Sequence, residues 1–170
     1  MHKHKTHQRV LSVYPTVRGY AFVLFDSPLS PHDWGSKAIK HDVGSAKTIA
    51  SIKDMLDRFR PDVLVLEDVK ERQAKRTLRL KRIVTALRPV ARSLSVEVVL
   101  VKRKDVRAAF AQFGAINKLD IAKVIASKME AFAPRMPKAR KTWQAQDPRM
   151  ALFDAASRAL TYYYSLEEQN

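Results

Sequence analysis

Residues 61–67 read Pro-Asp-Val-Leu-Val-Leu-Glu, four consecutive apolar residues that end on a carboxylate. A short apolar run behind a proline predicts a strand covered on both faces. Such a strand presents its terminal acid, Glu67, from a rigid platform into a cleft, where open α/β sheets bind ligands. A solvated loop would not need that apolar lead-in. The run points to a layered α/β fold and offers Glu67 as the first candidate site residue.

The flanking pattern agrees. Val10–Val13 and Tyr20–Phe25 read as the two strands of a hairpin, with Pro15 to Gly19 as the turn. Ser27 to Gly35 reads as a loop, and Lys37 to His41 as a third strand at an edge, where lysine discourages further pairing. From Ser45 to Arg60 the spacing of Ile49, Ile52, Met55, Leu56 and Phe59 predicts a helix with one buried stripe, capped by Ser45 and stopped by Pro61. A long basic helix follows from about Lys70 to Leu94, which Pro89 kinks or splits. Val96 to Val101 is the fifth strand. Lys104–Phe113 and Lys118–Phe132 are helices on either side of Gly114, and a basic loop runs from Ala133 to Gln146. The last helix spans Pro148 to about Leu166, with Asp147 as N-cap. This order predicts an α/β protein with a mixed five-stranded sheet, an antiparallel meander followed by parallel strands, flanked by helices. The length suits one domain over residues 10–170, behind a flexible basic arm at residues 1–9. His2, His4 and His7 read as part of that arm rather than as metal ligands.

Charge narrows the partner. Lys and Arg number 32 against 17 Asp and Glu, a formal charge of +15. That imbalance attracts polyanions, nucleic acid first, with ribosomal RNA or an anionic membrane surface as rivals. No apolar run approaches the roughly 18 residues that cross a bilayer, and the N-terminus lacks a signal-peptide core, so no membrane role is expected. The absence of cysteine excludes disulfide scaffolds and cysteine zinc sites and fits a reducing, cytoplasmic setting. Between Lys70 and Leu94 nine Lys or Arg face one acid, Glu71. Leu80, Ile83, Val84, Leu87 and Leu94 supply the buried stripe. Arg72, Lys75, Arg79 and Arg82 flank it on one side, Lys70, Lys81, Arg88 and Arg92 on the other, and Arg76 falls near the stripe itself. Solvated faces normally mix both signs, so this one reads as a phosphate track. Lys102, Arg103, Lys104 and Lys118, with Lys138, Arg140 and Lys141 in the late loop, extend it. Trp34 and Trp143 read as loop anchors into the core before they read as stacking platforms.

Three segments carry a family resemblance. The hairpin from Val10 to Tyr20, the Val63–Glu67 strand and the Phe153–Leu160 helix segment resemble, in order and spacing, the first hairpin, fourth strand and last helix of the RuvC-like Holliday-junction resolvases, which have the ribonuclease H-like fold. Gly114 to Lys118 resembles a glycine-then-lysine segment before a late helix of that family. The resemblance implies a nuclease site in which four acids hold two divalent cations, Mg²⁺ or Mn²⁺, about 4 Å apart. Here the first-strand position is Tyr14, and a phenol with a pKa of about 10 is a poor Mg²⁺ ligand at neutral pH. The second position on the last helix is Ser157. Glu67 and Asp154 remain as candidate catalytic and metal-binding residues. The resemblance thus implies binding of branched or otherwise structured DNA by a homodimer, with metal-dependent cleavage impaired or lost. Two alternatives stand beside it: an active Mg²⁺-dependent junction endonuclease with an atypical ligand set, and an RNA-binding or scaffold protein that uses the basic face. On a helical wheel Asp154 points almost opposite the stripe of Leu152, Ala155, Ala156, Ala159, Leu160 and Tyr163, which predicts an exposed acid with Arg158 as an ordinary surface partner, while Phe153, Met150 and Tyr164 widen the apolar arc and leave open burial on more than one side.

Overall fold

Three successive strands, β1 (Val10–Thr16), β2 (Gly19–Ser27) and β3 (Ser30–Ala38), form an antiparallel meander. β4 (Val63–Glu67) pairs parallel with β1, and β5 (Glu97–Val101) pairs parallel with β4. The strand order is β3-β2-β1-β4-β5, the mixed sheet expected from the sequence. Among the described residues five α-helices accompany it: α1 (Ala46–Phe59), α2 (Lys75–Ser93), α3 (Arg103–Ala111), α4 (Lys118–Lys128) and α5 (Met150–Glu167). The structure is a computed structural model. It describes residues 7–68, 75–141, 143–144 and 147–170, leaving aside the side chains of residues 75 and 76.

Strand alternation divides the core into two layers. Leu11, Val13, Leu64 and Leu66 pack on one face against Ile52, Met55 and Leu56 of α1 and Ile83 and Leu87 of α2. Val10, Val63 and Val65 pack on the other against α5 and, beyond it, residues of α3 and α4 such as Phe110, Ile121 and Ile125. The arm is tied down at its base. Gln8 accepts hydrogen bonds from Tyr162 and Tyr163, and Arg9 reaches Asp26, Asp62 and the Phe59 carbonyl. Residues 1–6 lie outside the described residues.

Several local expectations are corrected. The third strand is Ser30–Ala38, not Lys37–His41, and it includes most of the segment read as a loop. Its residues are largely polar because it is the sheet edge. The ladder to β2 supplies the order that side-chain propensity does not, and the edge tolerates Pro31. Ser45 does not cap α1: it sits in the left-handed region (φ 62°) and makes no capping bond. Asp42 does that work, accepting from the Lys47 and Thr48 amides at 2.7 and 3.3 Å and from the Thr48 hydroxyl at 2.6 Å. α2 runs unbroken through Pro89, which lies on the exposed side; the start expected at residues 70–74 lies outside the described residues. α4 ends at Lys128 rather than Phe132, and a 3-10 turn (Glu130–Arg135) containing Pro134 replaces its last turn. α5 begins at Met150, after a lead-in turn closed by the Met150 amide on the Asp147 carbonyl.

Candidate functional site

The sheet register places the site. The last paired rung between β1 and β4 joins Ser12 to Val65. Two residues further along the parallel strands come Tyr14 and Glu67, and strand parity turns both toward the face that carries α5. Ser12 locks that face to the helix, donating to the Ala155 carbonyl at 2.6 Å. The hairpin beyond needs Gly19: its φ is 149°, and a Cβ there would lie 1.8 Å from the Lys37 carbonyl oxygen.

α5 is buried almost all round, so the expected exposed acid is corrected. Asp154 is 5% exposed, Ser157 3% and Arg158 2%. The single stripe misplaced them, and the wider arc through Met150 and Phe153 is the reading the structure follows. α5 lies between the sheet and helices α3 and α4, and its polar side faces the β4 end rather than solvent. There Arg158 forms the centre. Its Nη2 is 3.0 Å from Glu67 Oε1, and its Nη1 donates to the Asp154 carbonyl at 3.0 Å and lies 3.9 Å from Asp154 Oδ1. Its guanidinium carbon stands 5.0 Å from the Tyr14 ring centroid, a cation–π distance. Lys118, the first residue of α4 behind the Asn117 cap, places its Nζ 3.2 Å from Asp154 Oδ2 and 5.8 Å from the Tyr14 ring centroid. Ser157 turns inward along its own helix and donates to the Asp154 carbonyl. Burial pushes the Asp154 carboxyl up from its usual range, against the pull of Lys118 and Arg158. Burial likewise pushes Lys118 down, against the pull of Asp154.

Glu67 and Asp154 both lie against Arg158, an arginine the sequence reading left on the surface. The missed signal was a lone arginine inside an apolar stretch, Ala155 to Leu160, where a buried cation requires an acid. The site does not fit divalent cations. Both carboxylates already hold protein cations, and among the described residues no group of three His, Cys, Asp or Glu side chains converges in a way that would bind a metal.

The predicted basic residues separate into two kinds. Arg79 turns inward. It donates to Asp42, Ser45, Thr48 and the Gly19 carbonyl at 3.1–3.4 Å, joining α2 to the start of α1 and to the hairpin. Arg82, Arg103, Lys104, Lys138, Arg140 and Lys141 are exposed, and Lys102 is half-buried. Arg72 lies outside the described residues, as do the side chains of Lys75 and Arg76. Arg103, Lys118, Lys138 and Arg140 converge on one cleft of about 340 Å³ between the starts of α3 and α4 and the late loop. The acid lining it, Asp147, is held by Arg149 at 2.7 Å. A second cleft of about 510 Å³, lined by Tyr14, Val17, Pro148, Ala151 and Asp154 among others, shares Asp147 with the first. Trp34 lies on β3 and packs against Phe132 with ring centroids 5.4 Å apart in a tilted arrangement, a core anchor, whereas Trp143 is 75% exposed.

No protein-family profile and no curated sequence matches the chain. Solved structures do. Thermus thermophilus RuvC in complex with Holliday junction substrate superposes with a TM-score of 0.69 at 16% identity, over 95% of this chain and 97% of that one. A further T. thermophilus RuvC structure gives 0.65 at 18% identity, over 94% and 96%. The fowlpox virus Holliday junction resolvase gives 0.55 at 15%, over 93% and 99%. The fold is thus the ribonuclease H-like fold of the RuvC and poxvirus resolvases, as the sequence resemblance implied. No helix among the described residues is long and apolar enough to cross a membrane.

Proposed function

We propose that this chain binds branched or otherwise structured DNA through its basic cleft and does not perform metal-dependent cleavage. The observation that carries the reading is the cleft formed by Arg103, Lys118, Lys138 and Arg140, in which the acid among the described lining residues, Asp147, is already paired with Arg149. Four converging cations suit the phosphates of a strand, and backbone contacts of this kind give affinity that falls steeply with salt. Two structures of similar fold hold Holliday junction DNA, which makes a four-way junction the first substrate to test. RuvC-like resolvases depend on metal. In this chain the two remaining acids are neutralised by Arg158 and Lys118, Tyr14 and Ser157 add no carboxylate, and cleavage therefore lacks its cations.

The test is binding and cleavage of a labelled four-way junction, beside random duplex, in Mg²⁺, Mn²⁺ or EDTA, with Glu67→Gln as control. Salt-sensitive binding that favours the junction, with no product in any metal, supports the reading. Metal-dependent cutting lost in Glu67→Gln shows an active endonuclease and overturns it. Equal binding of junction and duplex removes the structural preference. No binding at all moves the search to RNA or protein partners.

A further inference from the structure

We infer that Trp143 is a stacking platform for an unpaired nucleobase, set beside the basic cleft. The sequence pattern reads this tryptophan as an anchor into the core, yet it is 75% exposed. Among the described residues neither layer of the core includes it, whereas Trp34 packs against one of them. A single exposed aromatic is ordinary on a protein surface, so exposure alone gives it no role. Its position, its support and its surroundings do. Arg140, which lines the cleft, donates from Nη1 to the Gln144 carbonyl at 2.8 Å, so the residue next to Trp143 is tied to a cation of the cleft. The Lys141 amide donates to the Gln144 side-chain oxygen at 3.0 Å, and the Gln144 amide donates to the Lys141 carbonyl at 3.0 Å. These bonds hold the two ends of the short segment that carries the indole, which lowers the entropy lost on binding. Lys141 Nζ stands 5.7 Å from the centroid of the ring, within cation–π reach. A basic groove with an aromatic beside it is the arrangement that holds single strands: cations take the backbone and the ring takes a base. Phosphate contacts fix position and leave the bases unread. Inside a duplex both faces of each base are already stacked, so only an unpaired or terminal base offers a face to Trp143. Every base has a π-face, so the platform accepts any of them.

The stacking site rests on the nucleic-acid binding proposed above, and its test separates the two. Trp34→Phe leaves Trp143 as the single tryptophan of the chain, so emission reports its surroundings directly. A short thymidine oligonucleotide is titrated into that variant. Binding of the oligonucleotide and of a long duplex is then measured across a salt series for the wild-type protein, Trp143→Ala and Trp143→Phe. Trp143 emission is expected to be quenched as the oligonucleotide binds. Trp143→Ala is expected to weaken oligonucleotide binding by about 5- to 150-fold with the salt slope unchanged, since an indole carries no charge, and Trp143→Phe to keep most of the affinity. Duplex affinity is expected to change by less than about 2-fold, because the phosphate contacts remain. The affinity series keeps Trp34, so it stands even if Trp34→Phe does not fold. Oligonucleotide binding that leaves Trp143 emission or Trp143→Ala affinity unchanged overturns the stacking site while the phosphate cleft stands. A loss in Trp143→Ala that is equal for the duplex, or that comes with a shallower salt slope, overturns it too, because the cations of the loop then act rather than the ring. No binding of either nucleic acid removes the proposed function and the stacking site together.

Discussion

Single cations on α2 differ in kind although they look alike in sequence. Arg79 and Arg82 are three positions apart in a helix that reads as uniformly basic. Arg79 donates to four partners on the loop before α1, on α1 itself and on the hairpin, while Arg82 is exposed. Removing Arg79 leaves the Asp42 carboxylate and the Gly19 carbonyl short of a donor in a half-buried setting, so Arg79→Ala is expected to cost about 2 kcal/mol in urea unfolding. Arg82→Ala is expected to change stability by less than about 0.5 kcal/mol and to weaken nucleic-acid binding instead. Paired unfolding and binding curves check both. Equal effects of the two changes on stability would show that the Arg79 contacts do not matter. Nothing in the local sequence separates these arginines, because what distinguishes them is Asp42, 37 residues away, brought there by the packing of α1 on α2.

At the scale of elements, the strands and their order were legible because apolar runs and turn residues state them locally. Val63–Glu67 is found where it was predicted, and both hairpin strands extend the predicted cores. The edge strand β3 was not legible, since its order comes from its neighbour. Of the site, Glu67 was legible from its strand, and Asp154 from the resemblance. Its burial was legible only in the wider apolar arc, since a helix covered on several sides has no single stripe for a wheel to find. The cap of α1 belongs to the same class of miss: Ser45 has the right chemistry, but Asp42 has the right geometry. Burial opposes ionisation of Asp42, yet hydrogen bonds from Thr48, the Lys47 amide and Arg79 outweigh it and hold the carboxyl below its ordinary value of 3.8. The unfolded chain therefore takes up this proton first. The cap's stabilisation is present above about pH 3.8 and is lost as pH falls through the lower folded value. Asp147, held low mainly by Arg149, works in the same direction. Asp42→Asn is expected to flatten the acid limb of stability against pH, and Asp42→Ala to cost about 1–2 kcal/mol at pH 7. An unchanged acid limb in Asp42→Asn would show that the cap carries no titrating stabilisation. At the hairpin, Gly19→Ala is expected to cost about 2–3 kcal/mol, because its methyl group meets main chain that has to move. Thermal melts of that single variant decide it.

Over the whole molecule, the formal charge of +15 is not spread evenly. Several acids are paired with cations of the chain itself: Asp26 with Arg9, Asp42 with Arg79, Asp147 with Arg149, Glu67 with Arg158, and Asp154 with Lys118 and Arg158. Each such pair removes an acid and a cation together, so the excess of Lys and Arg remains, and the fold gathers part of it at one place. α3 and α4 begin side by side at the same end of the molecule as the late loop, so Arg103, Lys118, Lys138 and Arg140 share a cleft although they are far apart in sequence. Diffuse charge would give weak attraction to any polyanion, whereas a cleft fixes phosphates at defined positions. The two cases differ in their response to substitution. If the cleft binds the backbone, log K for a four-way junction falls with log salt, with a slope of about −0.9 for each phosphate neutralised. Neutralising Lys138 and Arg140 together then lowers the steepness of that slope by about 2, while the equally basic exposed pair Arg88 and Arg92 on α2 changes it little. If the attraction is diffuse, both double changes reduce the slope alike, and the cleft is not the binding site.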